Sequence, residues 1–359
     1  MNQVHPSFWK EKRVFVTGHT GFKGMWLCRM LAFLGARVEG YSLGVPTPEG
    51  EALYHLPGMR SCQREIMGDV RNLNALQTSM GDWRPEIVFH LAAQPIVAEG
   101  YRAPVETYST NVMGTVNLLE CVRHVDSVGS VLNVTTDKVY RNREWAWGYR
   151  EHDALGGTDP YANSKTCSEF VSCCYRQCFL TDGRAALSTV RAGNVIGGGD
   201  FSMYRIVPDC IRAAMGKRPI EVRNPNSIRP YQHVLDPVYA YLMIAEAQFK
   251  DGEHAGSYNV GPSEEDCVTT GRLASLFSEL WGEGQTWKTV KADAMPPESR
   301  TLRLDCSRLR DVFGWSPRWK VREALDRTIE WTRVYVSHGN VAACMDRQIE
   351  AFLSGGERV

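Results

Sequence analysis

Short apolar runs alternate with longer stretches of helical spacing through the first half of the chain. Residues 13–17, 37–42, 87–91, 131–135 and 186–190 are β-rich and almost continuously apolar, as strands buried on both faces are. Between them, 24–34, 105–123 and 161–179 carry the apolar periodicity of helices. This alternation predicts an α/β fold with a parallel sheet covered on both faces and right-handed crossovers. After Gly197-Gly198-Gly199 the texture changes: 200–231 is rich in Arg and Pro and weakly periodic. A helical run at 237–249 and a short strand at 257–260 read as a return to the first sheet. The remainder, through about residue 352, mixes helices with loops such as Met295-Pro296-Pro297. With no internal repeat and no low-complexity linker, two intimately joined lobes fit better than independent domains. One comprises residues 1–196 with 232–262, the other 197–231 with 263–359.

Composition narrows the partners. Lys+Arg and Asp+Glu balance at 41 each in 359 residues, so no global charge draws the chain to nucleic acid or to an anionic membrane. The first dozen residues hold no apolar signal segment, and no run of about 18 apolar residues could span a bilayer. The expectation is a cytoplasmic protein. Eleven cysteines are scattered without zinc-ligand spacing, so no metal is expected. Cys167, Cys174 and Cys178 share one helical face, which reads as a core or subunit-facing stripe.

Two clusters carry chemistry. The first run ends in Thr17-Gly18-His19-Thr20-Gly21-Phe22-Lys23-Gly24, a strand entering GxxGxxG and then a helix. Glycines there permit a tight turn and close backbone approach to a pyrophosphate seated on the helix N-terminus. That context makes the expected fold a Rossmann-type doubly wound sheet binding a dinucleotide. Ser42 stands where an acid would hold the ribose, and Glu39 lies too early in the strand. The reading is NAD, with NADP left open. Asp69 suits the adenine amino group, or equally a helix N-cap.

The second cluster is Thr135-Thr136-Asp137-Lys138-Val139-Tyr140 with Tyr161-Ala162-Asn163-Ser164-Lys165. Tyr161 and Lys165 lie four apart, hence on one helix face. A tyrosine ionises near pH ~10, and a neighbouring ammonium would bring its phenolate into useful range. Lys165 could also hold the nicotinamide ribose. Thr136 sits at a strand end, where ligands of such sheets bind, and its hydroxyl can meet the alcohol being oxidised. Asp137 can protonate a leaving hydroxyl, or simply cap the next turn. Lys138 can move a proton next to a ketone only if its pKa is lowered.

On these residues the chain resembles the extended short-chain dehydrogenase/reductases and, within them, the nucleotide-sugar 4,6-dehydratases. Similar stretches run almost end to end: TGHTGFKG from Thr17, HLAAQP from His90, YSTNVMGT from Tyr108, WGYRE from Trp147, RAGNVIGGGD from Arg191, QHVL from Gln232 and LDCS from Leu304. The Thr-Asp-Lys triplet resembles the CDP-sugar branch. The resemblance implies NAD-dependent oxidation of CDP-D-glucose at C4 with Tyr161 as base. Loss of water across C5–C6 with Asp137 as acid and hydride return to C6 then follow. It also implies cofactor contacts from Gly18, Gly21, Phe22, Lys23, Gly24, Asp69, Val70, Leu91, Ala92, Gln94, Thr110, Tyr161 and Lys165. Asn194, Arg205, Arg223, Arg229 and Arg300 occupy positions that grip the nucleotide diphosphate, a task suited to arginine's fork of donors. His233 reads as structural. Relatives pack helices 105–123 and 161–179 into a dimer interface, so a homodimer is expected, with a dimer of dimers open. Supply of a deoxysugar for a surface polysaccharide is the implied role.

The chain departs from that pattern at Met25 (for serine), Ser202-Met203-Tyr204, Tyr231 (for tryptophan), Pro297 (for histidine) and the atypical 47–54 segment. These put the sugar or nucleotide in question more than the reaction. Alternatives are a dehydratase of another nucleotide sugar, an epimerase or simple sugar dehydrogenase, and a cofactor-binding sensor without turnover.

Overall fold

The structure, a computed structural model, describes residues 3–290 and 300–355; Met295, Pro296 and Pro297 lie outside them. Its strands are β1 (Arg13–Thr17), β2 (Arg37–Ser42), β3 (Arg64–Met67), β4 (Ile87–His90), β5 (Ser130–Val134), β6 (Ala186–Ala192), β7 (Asn194–Ile196), β8 (Ile220–Val222), β9 (Ile228–His233), β10 (Ser257–Val260), β11 (Cys267–Thr269) and β12 (Trp287–Thr289). Seven of them form one sheet in the order β10-β6-β5-β4-β1-β2-β3, and every pairing in it is parallel. The order reverses between β1 and β4, which is the switch point of a doubly wound sheet.

The continuous apolar runs are explained by which way alternate side chains point. Val14 and Val16 of β1 join a core containing Trp26, Leu27, Met30, Leu235 and Leu242 from helices Phe22–Phe33 and Leu235–Lys250. Phe15, between them, joins the opposite core with Leu76, Met80, Leu118 and Leu119 from helices Leu73–Trp83 and Gly114–His124. Both faces are therefore covered, and the three positions between Arg13 and Thr17 are all apolar.

The second lobe has its own core. Val207, Cys210, Ile220, Val222, Tyr231, Leu273, Phe277, Leu325 and Ile329 pack around helices Ile206–Met215, Thr270–Trp281 and Val321–Val336. Two small sheets, β11-β9-β7 and β12-β8, complete it. The 200–231 stretch, read as weakly periodic, holds the helix Ile206–Met215 and parts of these short strands. The 105–123 run is three segments, Pro104–Tyr108, a π-helical turn Ser109–Met113, and Gly114–His124.

The cysteine stripe is not core. Cys167 is half-buried, and Cys174 and Cys178 are exposed, because helix Pro160–Cys178 turns Ser164, Ser168 and Ser172 inward instead. Among the described residues no helix is long and apolar enough to cross a membrane.

Candidate active site

The glycine loop leaves β1 at the switch point. Gly18 has φ +73°, and a Cβ there would lie 2.7 Å from Ala92 N, so only glycine fits. A Cβ on Gly24 would lie 2.2 Å from the Gly18 carbonyl, which fixes close packing of helix on loop. Gly21 is different: its φ is −75° and a Cβ would meet nothing nearer than the Gly18 carbonyl at 3.4 Å. The protein itself does not demand glycine there. Open space above Gly21, beside a helix N-terminus with no side-chain cap, is the cradle a pyrophosphate needs. Thr17 Oγ1 ties the neighbouring strand ends together, accepting from Leu91 N and Ala92 N at 3.2 Å each and bonding His90 Nδ1 at 2.8 Å.

The rest of the expected cofactor wall is assembled by interlocking amides. Asn111 in the π-helical turn accepts from Gln94 N at 2.8 Å and donates to Gln94 O and Ser164 Oγ. The Gln94 side chain is used internally, toward Thr107 and Ile96 N. Thr110 is half-buried on the same turn. Val70 is held by Asn117, which donates to its carbonyl at 2.9 Å. Asp69 is paired with Arg71 at 2.7 Å, which holds its carboxyl below the usual range; Asn72, not Asp69, caps the following helix. Ser42 bonds His19 Nδ1 and Thr20 Oγ1 at the end of β2, while buried Glu39 faces Ser79 and Arg64 away from the loop. Phe22 lies against Gly197, where a Cβ would come 3.2 Å from its ring.

Thr136 sits two residues past the end of β5 and caps the short helical turn Asp137–Val139, its Oγ1 accepting from Lys138 N at 3.4 Å. The capping role considered for Asp137 therefore falls to Thr136. The same hydroxyl donates to Asp137 Oδ1 at 3.1 Å. Asp137 is buried, and its Oδ2 has no hydrogen-bond partner among the described residues. Burial raises its pKa, with Lys138, Thr136, Arg229 and Lys23 pulling the other way. Raising the pKa of a carboxyl in this fashion favours its acid form, the form that can donate a proton.

Tyr161 and Lys165 lie on helix Pro160–Cys178, started by Asp159, which accepts from Ala162 N at 2.9 Å, and by Pro160 in its first turn. The expected lowering of the phenol by Lys165 is not found. Burial pushes Tyr161 up to about 12, opposed by the Thr136 hydroxyl and by Arg205. Lys165 Nζ instead donates to Val134 O at 3.0 Å, and burial together with Lys23 brings its pKa down to about 7. Burial, then the like charge of Arg205, lowers Lys23 to about 8, with Asp137 and Asp200 opposing. Lys23, Lys138 and Arg229 thus bear on Asp137, and Arg205 on Tyr161, a locally positive field suited to an anion.

Of the five expected substrate residues, the structure brings two to this cluster. Arg205 pairs with buried Asp200 at 2.9 Å and bears on Lys23 and Tyr161. Arg229 bears on Asp137 and donates to the Ile228 and Arg300 carbonyls. Arg300 thereby adjoins Arg229 through its backbone, while its side chain is exposed. Arg223 lies farther out, over the Tyr204 ring and 4.0 Å from Asp209. Asn194 is half-buried on β7, opposite Tyr231 of β9. Tyr204 adopts φ +65°, an uncommon left-handed turn just before Arg205. His233 is structural as expected: buried against Trp26 and Trp319, it is held near pKa 3 by desolvation and its Nδ1 accepts from Leu235 N. Met25 is absorbed by the core, and the 47–54 segment is a helix, Pro48–Tyr54, capped by Thr47.

One functional feature escaped the sequence reading. Beneath Thr136 lies a buried pair, Glu169 with Arg191, at 3.0 and 2.9 Å through two parallel bonds. Glu169 also accepts from Thr135 Oγ1 and from Thr189 Oγ1. Arg191 continues to Tyr140 Oη at 2.8 Å, and Tyr140 to Asn259 at 2.6 Å. The Thr135–Tyr140 turn is thus bolted at both ends. The only hint was Glu169 standing one helical turn beyond Lys165.

A family profile for GDP-mannose 4,6-dehydratase matches residues 15–328. The chain belongs to that family. It is 42% identical over 361 residues to CDP-glucose 4,6-dehydratase of Salmonella typhimurium, covering 99% of this chain and 100% of that one. The structure of MoeE5 in complex with UDP-glucose and NAD is 26% identical, with a TM-score of 0.76 over 90% of this chain and 99% of its own. dTDP-glucose 4,6-dehydratase from Bacillus anthracis, at 20% identity, TM-score 0.76 and coverage of 91% and 98%, shares the fold. Within the GDP-mannose 4,6-dehydratase family, the doubly wound sheet and the loop-to-helix entry at Gly18–Gly24 are this chain's frame for its site.

Proposed function

We propose that the protein is an NAD-dependent nucleotide-sugar 4,6-dehydratase acting on CDP-D-glucose. One observation carries the reaction type: buried Asp137, its pKa raised and one oxygen unpartnered, beside Thr136 and Tyr161. Alcohol oxidation alone has no use for a carboxyl shifted toward its acid form there; removing water does. The likeness to the Salmonella enzyme over the full chain supports CDP-glucose as substrate.

The dinucleotide fits residues 1–196 with 232–262. Gly18, Gly21, Phe22, Lys23 and Gly24 would hold its pyrophosphate, Asp69 and Val70 its adenine end, and Leu91, Ala92, Gln94, Thr110, Tyr161 and Lys165 its nicotinamide end. The chemistry it supplies when bound is hydride storage, from C4 and back to C6. In residues 197–231 with 263–359, Asn194 at the seam, Arg205, Arg223, Arg229 and Arg300 would bind the diphosphate. Thr136 orients the C4 hydroxyl and Tyr161, in its phenolate form, takes its proton. The resulting ketone acidifies C5; Lys138 would receive that proton only in its neutral form, and Asp137 donates to the departing C6 hydroxyl.

The exposed face of helix Pro160–Cys178, with Phe170 and Cys174, and exposed Val105 and Met113 support a homodimer through these helices. A cytoplasmic enzyme supplying a deoxysugar for surface polysaccharide agrees with this reading. The deciding experiment is incubation with CDP-, dTDP-, UDP- and GDP-sugars while following the 4-keto product. Turnover of CDP-glucose without net NADH is expected; preferred turnover of another nucleotide would overturn the substrate assignment.

A further inference from the structure

Beside the glycine loop, three side chains from distant parts of the sequence converge. His19 follows the first glycine of the loop, Cys62 lies in the segment entering β3, and Glu65 lies on β3. One ligand atom from each falls within 4.8 Å of the other two. We propose that this trio is a binding site for a borderline-soft divalent ion of the zinc class. Imidazole, thiolate and carboxylate together are a zinc-type donor set, and an ion bonded at about 2.0–2.3 Å would draw such atoms to roughly 3.5 Å apart. The contraction needed is on the order of an ångström, within the reach of side-chain rotation.

The surroundings orient the donors. Ser42 Oγ bonds His19 Nδ1 at 3.1 Å and is itself bonded to Thr20, which fixes the imidazole plane. Gly40 of β2 makes room for that ring, since a Cβ there would stand 2.4 Å from it. Tyr54 Oη donates to Glu65 Oε1 at 2.6 Å, a typical outer-shell bond to a ligating carboxylate. The Cys28 thiol is buried beside Cys62 but stands outside the trio, so Cys62 is the thiolate the site would use. Among the described residues, the cation paired with the cluster is Arg60, 3.9 Å from Glu65 Oε2; being mostly exposed, it can turn away. The trio escapes sequence motifs because its members are 43 and 3 residues apart, and only the β1–β2–β3 order brings them together. An ion here would cross-link the loop after β1 to β3. On binding, the Cys62 thiol gives its proton to solvent.

The test is titration of the intact protein, held reduced with a phosphine, with cobalt(II) as a spectroscopic stand-in for zinc. A near-ultraviolet thiolate-to-cobalt band saturating at one equivalent per chain is expected, together with a rise in melting temperature on adding zinc. The band should vanish in Cys62→Ser and survive in Cys174→Ser. Absence of the band in the unmodified protein, or its persistence in Cys62→Ser, overturns the proposal. Circular dichroism of metal-free Cys62→Ser separates a lost ligand from a lost fold, and Glu65→Gln, which keeps the Tyr54 contact, should weaken zinc binding at least tenfold.

Discussion

Thr136 Oγ1 donates to Asp137 Oδ1 at 3.1 Å, leaving Oδ2 of that buried carboxyl without a partner among the described residues. One hydroxyl thus touches both groups that the dehydration needs, since Thr136 also lies against the Tyr161 phenol. The carboxyl is held in place by its bonded oxygen and keeps the other for the substrate.

Asp137→Asn should preserve this geometry while removing the proton donor. C4 oxidation, seen as transient NADH absorbance, is expected to persist, and product formation to fall by about 10²–10⁴. Because burial raises the Asp137 pKa, the acid form is lost as pH climbs through that raised value. Dehydration in the unmodified enzyme should therefore decline on that limb, and the Asn variant should lack it. Tyr161→Phe should instead lose the NADH transient itself.

Lys23 and Lys165 titrate near 8 and 7, below a free lysine's value of 10.5. The unfolded chain therefore holds more protons than the native one between those values, and the two lysines cost stability that is recovered as pH rises toward the free value. A bound anion reverses the shift by favouring the charged form. ADP-ribose binding near pH 8 is thus expected to take up protons, measured as a dependence of the calorimetric heat on the buffer's ionisation enthalpy. A heat independent of buffer would contradict the picture, and Lys23→Met should reduce the uptake.

The two glycines flanking the helix entry make opposite predictions. Gly21→Ala has room and an ordinary φ, so folding stability should change by no more than about 0.5–1 kcal/mol. The added methyl fills the space above the helix N-terminus, and NAD affinity should fall at least tenfold. Gly24→Ala drives a methyl to 2.2 Å from the Gly18 carbonyl, so the loss should appear first as a lower melting temperature.

What the sequence revealed follows from how local each signal is. Strands β1, β2 and β10 matched their predicted limits, each being a short run with buried Val or Tyr bounded by polar residues or glycine. Strand β3 was not predicted: Arg64-Glu65-Ile66-Met67 is a half-exposed edge with charges that mask it. The π-helical turn at Ser109–Met113 disturbs the 3.6 period without ending it, so the 105–123 run read as one helix. Tyr161, Lys165, Thr136 and Asp137 were legible because their spacing is local. Whether Lys165 would tune Tyr161 was not, since that depends on the Val134 carbonyl capturing its ammonium.

The Glu169–Arg191 pair gives the prediction most dependent on the three-dimensional structure. Both side chains are nearly sealed from solvent, at 3% and 4% exposure. Removing one partner strands a buried charge, so Arg191→Met should cost about 3–5 kcal/mol in denaturant unfolding. The double variant Glu169→Gln with Arg191→Met removes that stranded charge and should recover a large part of the loss. Activity should not recover with it. Thr135 would lose its anionic anchor, and the turn carrying Thr136 and Asp137 would no longer be held at the β5 end. A fall in kcat with KM for the nucleotide sugar little changed would show that the pair positions the reacting groups. Recovery of activity in step with stability would show that it serves the fold alone.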